Sequence, residues 1–191
     1  MLKKIALSLR DIKPAPNWIV PAILFVACFF SHGILLSNLG YFQDDWHHVY
    51  YAYHEGTDGL KNFFFTDSRP FAHFIYEYLF SSLGFNPTHW HWSLMFVRFI
   101  TSLVAWLLFR QVWPQKEEFT AWLALFFAIH PVFSLQPLAV AYSLHWISYL
   151  SLLGSFTLMA LAIKRENWFM PLTVAAVVLQ VFHLIVMEYY A

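Results

Sequence analysis

The first long apolar run of the chain is Trp18-Ile-Val-Pro-Ala-Ile-Leu-Phe-Val-Ala-Cys-Phe-Phe-Ser-His-Gly-Ile-Leu-Leu-Ser-Asn-Leu39. It covers 22 residues without a charged side chain. A helix rises 1.5 Å per residue, so about 20 apolar residues cross the hydrocarbon core of a bilayer. The run is longer than the roughly 7–15 apolar residues of a signal peptide, and no small-residue cleavage site follows it. We therefore predict a retained transmembrane helix that also serves as a signal anchor.

The composition of the whole chain is typical of a membrane protein. Of its 191 residues, 60% are hydrophobic and only 12% are charged, whereas soluble domains carry about 25% charged residues. The net charge is zero, and no run of like charge favours nucleic acid as a partner. Cys28 is the only cysteine, which excludes a disulfide framework and a cysteine-based metal site within the chain.

Four further apolar stretches bring the expected number of spans to about five: 87–113, 119–137, 144–163 and 168–187. The first of these four begins at Asn86-Pro87, an N-cap residue followed by proline at the first helical position. The next contains Pro131 and Pro137, so we expect a kinked or broken helix there. The predicted fold class is all-α, with residues 1–191 forming a single polytopic transmembrane helical bundle.

Positive charges set the expected orientation of these spans. Lysine and arginine are concentrated in the N-terminal tail, between Arg110 and Lys116, and at Lys164-Arg165. Because basic residues favour the cytoplasmic side, the N-terminus is predicted to be cytoplasmic and the 40–86 loop extracytoplasmic. We expect a multi-pass protein of the cell membrane. This orientation places all ten histidines at or near the outer face.

The second half of the 40–86 loop predicts an amphipathic helix at the membrane interface. After Asp67-Ser-Arg-Pro70, large apolar residues recur at helical spacing up to a C-cap at Gly84. The apolar stripe is Phe71, Phe74, Ile75, Tyr78 and Leu79, and the opposite stripe contains His73, Glu77 and Ser81. About 14 residues are too few to span a bilayer and suit a helix that lies in the interface.

Two adjacent acids and two adjacent histidines occur in Gly40-Tyr-Phe-Gln-Asp-Asp-Trp-His-His-Val-Tyr50. If this segment is helical, Asp44 shares a face with His47 and His48, while Asp45 points elsewhere. One acid then serves as a general base or metal ligand, and the other takes a structural partner. Asp45 and His48 are candidate ligands of a divalent metal, either magnesium, manganese or zinc. A solvated pair that caps a short helix is the alternative interpretation.

Three more charged residues are candidates for binding substrate or phosphate. Arg98 falls near the middle of the second span, where a charge needs a partner, and Glu188, Asp45 and Glu77 are the candidates. Arg69 is the second cation, although bracing of its loop together with Asp67 is favoured over catalysis. Glu188 is a second acid, the partner of Arg98, or a residue that has reached water.

The order of these features resembles the membrane glycosyltransferases of the GT-C fold. Members have a cytoplasmic N-terminus, one span, and then an acidic pair early in the first outward loop, here Phe42-Gln-Asp-Asp-Trp46. Interfacial helices precede the second span, and His130-Pro131 and Trp146-Ile147-Ser148 also resemble elements of the dolichyl-phosphate-mannose-dependent mannosyltransferases that carry tetratricopeptide repeats.

The resemblance implies sugar transfer from a polyprenyl-phosphate carrier to a glycan, lipid or protein acceptor. Asp44 or Asp45 would deprotonate the acceptor or ligate a divalent metal, and Arg98 or Arg69 would hold the leaving phosphate. Members of this group are several hundred residues long, so the chain is expected to be the N-terminal portion of a longer protein.

Two other functions remain open from the sequence. A non-enzymatic membrane transporter or assembly subunit is favoured by the interrupted third span and by Arg98. A metal-dependent hydrolase of lipid phosphates would use the same acids and histidines with water as the acceptor. No motif for a zinc protease, a serine esterase or a nucleotide-binding loop is present.

Overall fold

A computed structural model describes residues 18–130 and 137–187, and within these ranges all regular structure is helical. Four helical stretches are long and apolar enough to cross a membrane: Ile19–Asn38, Pro87–Val112, Ala139–Lys164 and Glu166–Val186. The all-α prediction is confirmed, and four of the predicted spans correspond to these stretches.

The first span is a composite helix. Helix α1 covers Ile19–Cys28, a π-helical turn follows at Phe29–Gly33, and a 3₁₀ turn ends the element at Leu36–Asn38. A side chain at Gly33 would bring a Cβ within 2.8 Å of the Phe29 ring. The absence of a side chain at Gly33 therefore leaves room for the Phe29 ring in the π-helical turn. Single π-helical turns of this kind occur as local bulges within α-helices.

The 40–86 loop contains three helices where the sequence predicted one. Helix α2 covers Asp45–Tyr50, and a π-helical turn leads into α3 at Gly56–Thr66. Helix α4 covers Ala72–Leu83 and ends at Gly84, whose φ of +64° suits the predicted C-cap glycine. The loop is therefore a small helical layer rather than an extended connection.

The predicted polar stripe of α4 is only partly correct. Phe74 and Tyr78 are exposed, as an interfacial helix requires, but His73 is buried with Tyr76 and Phe80. The reason lies outside the helix, because Phe80 packs on the Trp90 ring at 4.7 Å and so turns this face inward.

Helices α5 (Pro87–Val112), α6 (Glu117–Ile129), α7 (Ala139–Lys164) and α8 (Phe169–Val186) complete the described chain. Helix α7 packs along both α5 and α8, while α6 and α1 pack against α5 and against each other. At Gly154 of α7, a Cβ would lie 3.2 Å from the Leu179 side chain of α8. The small residue thus permits the close approach of these two helices.

The third predicted span, 119–137, is described only in part. Helix α6 has 13 residues, about 20 Å of helix against a hydrocarbon core of about 30 Å. It ends before His130, whose extended backbone precedes Pro131, because a residue before proline disfavours helical geometry. Residues 131–136, where the predicted break continues, lie outside the described ranges. Four candidate spans are therefore established, and the fifth stays a prediction.

Contacts between helix ends show which described residues lie at each end of the bundle. At one end, the ring of His91 bonds the Gly40 carbonyl at 3.0 Å, next to the helices of the 40–86 segment. At the other end, Lys164 Nζ donates to the Gln111 carbonyl at 2.6 Å. The basic residues at 110–116 and 164–165 therefore lie opposite the 40–86 layer, as the orientation predicted from charge requires.

The orientation itself can be tested by cysteine labelling in intact cells. Lys61 in α3 and Lys116 at the opposite end are both exposed, and the native Cys28 is 0% exposed. We expect a membrane-impermeant maleimide to label Lys61→Cys from outside, and Lys116→Cys only after permeabilisation. The native protein is the unlabelled control, and the opposite labelling pattern would invert the topology.

Candidate functional site

Asp45 is buried at the first turn of α7, far from its own position in the chain. Its Oδ1 accepts hydrogen bonds of 2.9 Å from the amides of Val140 and Ala141, and its Oδ2 accepts one of 3.0 Å from Ala139. The first amides of a helix have no partner within the helix and form its positive end. The carboxylate therefore caps α7 as a remote N-terminal anion.

Tyr76 of α4 fixes the same turn from another side. Its hydroxyl donates to the carbonyls of Val140 at 3.0 Å and Ala141 at 3.2 Å. Burial raises the pKa of Tyr76, and the nearby Asp45 charge adds to that rise. The phenol is therefore a neutral donor, and α2 and α4 together hold the beginning of α7 through both its amides and its carbonyls.

The turn before α2 separates the two acids. Gln43 has a φ of +41°, which is unusual for a residue other than glycine. The Phe42 carbonyl accepts from the Asp45 amide at 2.9 Å, and the Asp45 carboxylate accepts in return from the Phe42 amide at 3.4 Å. Asp45 is thereby directed into the protein, while Asp44 is exposed. Left-handed backbone of this kind is often found next to functional residues.

The environments of the two carboxylates are opposite. Burial raises the pKa of the Asp45 carboxyl, and four backbone amide donors oppose that rise. The Asp44 side chain does not cap the helix that follows it. Of the histidines predicted to share its face, His47 is exposed with Asp44, but His48 is buried. Asp44 is therefore the acid whose carboxylate can meet a substrate.

His48 packs within an aromatic cluster rather than in an open ligand site. Its ring centroid lies 5.1 Å from that of Phe63 and 4.9 Å from that of Tyr76. Its Nδ1 bonds the Asp44 carbonyl at 3.0 Å. Burial lowers the pKa of His48 to about 4, so the imidazole is neutral at neutral pH.

The predicted metal ligands Asp45 and His48 both have other partners in this arrangement. Backbone amides surround the Asp45 oxygens, and aromatic rings surround His48. No group of three or more histidine, cysteine, aspartate or glutamate side chains that could hold a metal occurs within 18–130 and 137–187. The arrangement thus gives this pair a structural role, and a metal remains a prediction without a described site.

Arg69 lies in the turn that precedes α4. Its Nη1 is 3.6 Å from the Asp67 carboxylate, and the intervening Ser68 has a φ of +60°. The charges of Arg69 and Asp44 both act on His48 and shift its pKa in opposite directions. Only part of the Arg69 side chain is exposed, 21% of its surface. A half-buried guanidinium and an exposed carboxylate therefore both act electrostatically on the same histidine.

Arg98 lies elsewhere, inside the bundle. It is 2% exposed, and its guanidinium carbon lies 4.6 Å from the centre of the Trp146 ring. Of its predicted partners, Asp45 caps α7, Glu77 lies 4.0 Å from His73, and Glu188 falls outside the described ranges. Of the residues predicted to bind phosphate, the structure thus describes Arg69 in the turn before α4 and Arg98 within α5.

The sequence elements that resemble those of the mannosyltransferases lie near these residues without forming one cluster. Trp146 lies beneath Arg98, and Ser148 Oγ is 2.6 Å from His183 Nδ1. His130 lies at the end of α6. These contacts join α5, α7 and α8 to one another below the 40–86 layer.

The sequence contains a signal for the remote cap at α7. Leu138 precedes the helix at the N-cap position and makes no side-chain hydrogen bond. Residues 138–142 read Leu-Ala-Val-Ala-Tyr, without the serine, threonine, aspartate or asparagine that usually caps a helix. A long helix that begins without a local cap indicates a partner from elsewhere in the chain.

Comparison with known proteins finds no match among family models, curated proteins or solved structures. The contacts around Asp44, Asp45 and Arg69 are therefore the basis for assigning a function.

Replacement of Asp45 tests its structural role. Asp45→Asn retains one acceptor oxygen and turns a donor amide towards the first amides of α7. A buried hydrogen-bonding group left without a partner costs about 1–3 kcal/mol, so we expect a loss of that size in the free energy of unfolding. Thermal unfolding in detergent measures it.

Asp44→Asn is the matched control for this experiment. An exposed substitution at the neighbouring position should change stability by no more than about 0.5 kcal/mol. Equal effects at the two positions would contradict the division of roles.

The buried His48 predicts a pH dependence of stability. Its pKa near 4 in the folded protein lies below the ordinary value of 6.5, so the unfolded chain binds more protons between these values. The free energy of unfolding is therefore highest above pH 6.5. It decreases as the pH falls towards 4, by up to about 3 kcal/mol. Unfolding midpoints at pH 7 and pH 5 measure this loss, which His48→Phe should reduce.

The same substitution at exposed His47 provides the control for the pH experiment. His47→Phe should leave the difference between pH 7 and pH 5 as it is in the native protein. An unchanged difference in His48→Phe would show that other groups cause the pH dependence.

Proposed function

We propose that this chain belongs to an integral membrane glycosyltransferase of GT-C-like fold that takes a sugar from a polyprenyl-phosphate carrier at the extracytoplasmic face. The observation that carries the proposal is the opposite placement of the two acids. Asp45 is fully buried on the amides of α7, while Asp44 is exposed one residue earlier. A rigidly held turn that presents one free carboxylate suits general base catalysis.

Asp44 is the proposed base. Its carboxylate would accept the proton of the acceptor hydroxyl as that oxygen bonds to the anomeric carbon of the sugar. The bond from this carbon to the phosphate oxygen breaks in the same step, and the phosphate leaves with the bonding electrons. A single displacement of this kind inverts the anomeric configuration. Asp45 supports the reaction indirectly, because its hydrogen bonds to α7 fix the turn that carries Asp44.

Arg69 is the cation proposed for the leaving phosphate. Guanidinium geometry suits phosphate oxygens, and Arg69 shares the surroundings of His48 with Asp44. Its contact with Asp67 and the left-handed Ser68 hold it at the turn before α4. Arg98 lies within the bundle, and the predicted role of Glu188 concerns a residue beyond the described ranges.

Exposed aromatic rings on the 40–86 layer support a substrate that arrives with a lipid. Nine large aromatic residues there are each at least 44% exposed: Phe42, Trp46, Tyr50, Tyr53, Phe65, Phe71, Phe74, Tyr78 and Phe85. Aromatic residues concentrate where a protein meets the membrane interface. A carrier whose sugar phosphate is attached to a polyprenyl chain would present its headgroup at this level. The 40–86 layer therefore suits a reaction at the membrane surface.

A transporter or assembly subunit is the second candidate, and Arg98 is the observation that favours it. Buried charges within membrane spans often mark the path of a substrate or ion. Asp44 and Arg69, whose charges both act on His48, have no role in that alternative, whereas the glycosyltransferase proposal uses both.

Substitution of Asp44 tests the proposal in membranes that contain the full-length protein. Asp44→Asn should reduce transfer from a polyprenyl-phosphate sugar by about 10²–10⁴-fold, the usual contribution of a general base. Its unfolding midpoint should remain close to that of the native protein. Incorporation of labelled sugar into the acceptor measures the rate.

Two further variants give the controls. His47→Gln changes an exposed neighbour and should retain transfer, whereas Arg69→Lys should weaken it because a lysine lacks the planar fork. Full transfer by Asp44→Asn would exclude Asp44 as the base.

A further inference from the structure

Arg98 is a buried cation without a hydrogen-bond acceptor among the described residues. Its side chain is 2% exposed, and neither Nε nor Nη1 finds an acceptor within 18–130 and 137–187. Arginine stays protonated in proteins, so α5 carries a full positive charge inside the bundle. The Trp146 ring at 4.6 Å supplies a cation–π contact, which satisfies neither of these N–H groups.

The surrounding spans contain no anion that could neutralise this charge. No aspartate or glutamate occurs in 19–38, 87–112, 139–164 or 169–186. The acids of α6, Glu117 and Glu118, lie in its first turn, at the end of the bundle opposite the 40–86 layer. A buried charge without a counter-ion is strongly disfavoured, so the counter-ion is expected from outside these helices.

A cavity beside Arg98 gives such an anion a place. It has a volume of about 10 Å³ and is lined by Arg98 together with His32, Leu36, His91, Leu94 and Met95. Ligand pockets for drug-sized molecules occupy about 300–1,000 Å³, whereas about 10–15 Å³ is the least volume that holds one water molecule. The cavity is therefore too small for a sugar and has room for one small particle, either a water molecule or a monatomic ion.

The lining residues show how the cavity is placed within the bundle. His91 lies one helical turn inside the start of α5, where its ring bonds the Gly40 carbonyl at 3.0 Å. Arg98 lies two turns deeper along the same helix. The lining residues thus lead from the 40–86 end of the bundle to the guanidinium.

We propose that Arg98 and this cavity bind a single small inorganic anion of the size of chloride. The ion neutralises the guanidinium and accepts hydrogen bonds from its free N–H groups. It enters from the side of the 40–86 layer. The site is separate from Asp44 and Arg69, so it does not depend on the proposed sugar transfer.

The test measures the unfolding midpoint of the full-length protein in detergent micelles at constant ionic strength. Sodium chloride or bromide replaces sodium gluconate, whose anion is too bulky for the cavity. We expect a saturable rise of the midpoint with halide, because a ligand that binds only the folded state stabilises it. Equilibrium binding of ³⁶Cl⁻ should detect one high-affinity site per chain.

Two substitutions of the same kind distinguish this site from general salt effects. Arg98→Met removes the charge at similar length and should abolish both the halide response and ³⁶Cl⁻ binding. Arg110→Met is the control, because Arg110 also lies over a tryptophan ring, at 5.0 Å from Trp106, but pairs with Glu117 at the other end of the bundle. It should retain both signals.

A third variant covers the case in which Arg98→Met does not fold. Leu36→Phe keeps the charge and narrows the cavity, and it should weaken ³⁶Cl⁻ binding at least tenfold. Equal midpoints in chloride and gluconate in the native protein would overturn the proposal. So would a response to phosphate or to anionic-lipid vesicles without one to halide, or a halide response that appears only in Glu188→Gln, which would identify Glu188 as the counter-ion.

Discussion

The arrangement of the 40–86 layer on the bundle depends on one carboxylate at the first turn of a long helix. The Asp45 carboxylate accepts hydrogen bonds from the amides of Ala139, Val140 and Ala141, which have no acceptor within the helix. An anion at this position also meets the positive end of the helix dipole. The same contact fixes the 40–86 layer on the bundle and directs Asp44 outward, so one interaction determines both the packing of the layer and the exposure of the candidate base.

The spans were predictable because each depends on a local property. An apolar run of bilayer length gives a membrane helix, and Asn86-Pro87 marks the start of α5, where the Asn86 side chain accepts from the Thr88 amide at 3.0 Å. Residue spacing also predicted that the two acids would differ in role. The sequence could not show which acid is buried, because that depends on a contact between residues 94 positions apart.

The errors in the prediction have a common cause. The spacing of apolar residues shows that α4 is amphipathic, but it does not show which partner each face will meet. His73 is buried because the neighbouring Phe80 and Tyr76 face the Trp90 ring, and His48 is buried because Phe63 and Tyr76 enclose it. The apolar run 119–137 is a different case, because its prolines already predicted a break and α6 ends just before Pro131. Local composition identifies helices, whereas tertiary contacts decide their ends and their buried faces.

The long separation between Asp45 and its partners also imposes an order on biosynthesis. When Asp45 leaves the ribosome, the amides that will donate hydrogen bonds to its carboxylate have not yet been made. Synthesis at about 5–20 residues per second needs roughly 5–20 seconds to reach them. During this interval α2 and α4 have no helix to hold. The 40–86 layer therefore reaches its final structure only after the third of the four candidate spans begins to form, and Asp44 becomes a positioned carboxylate at that same moment.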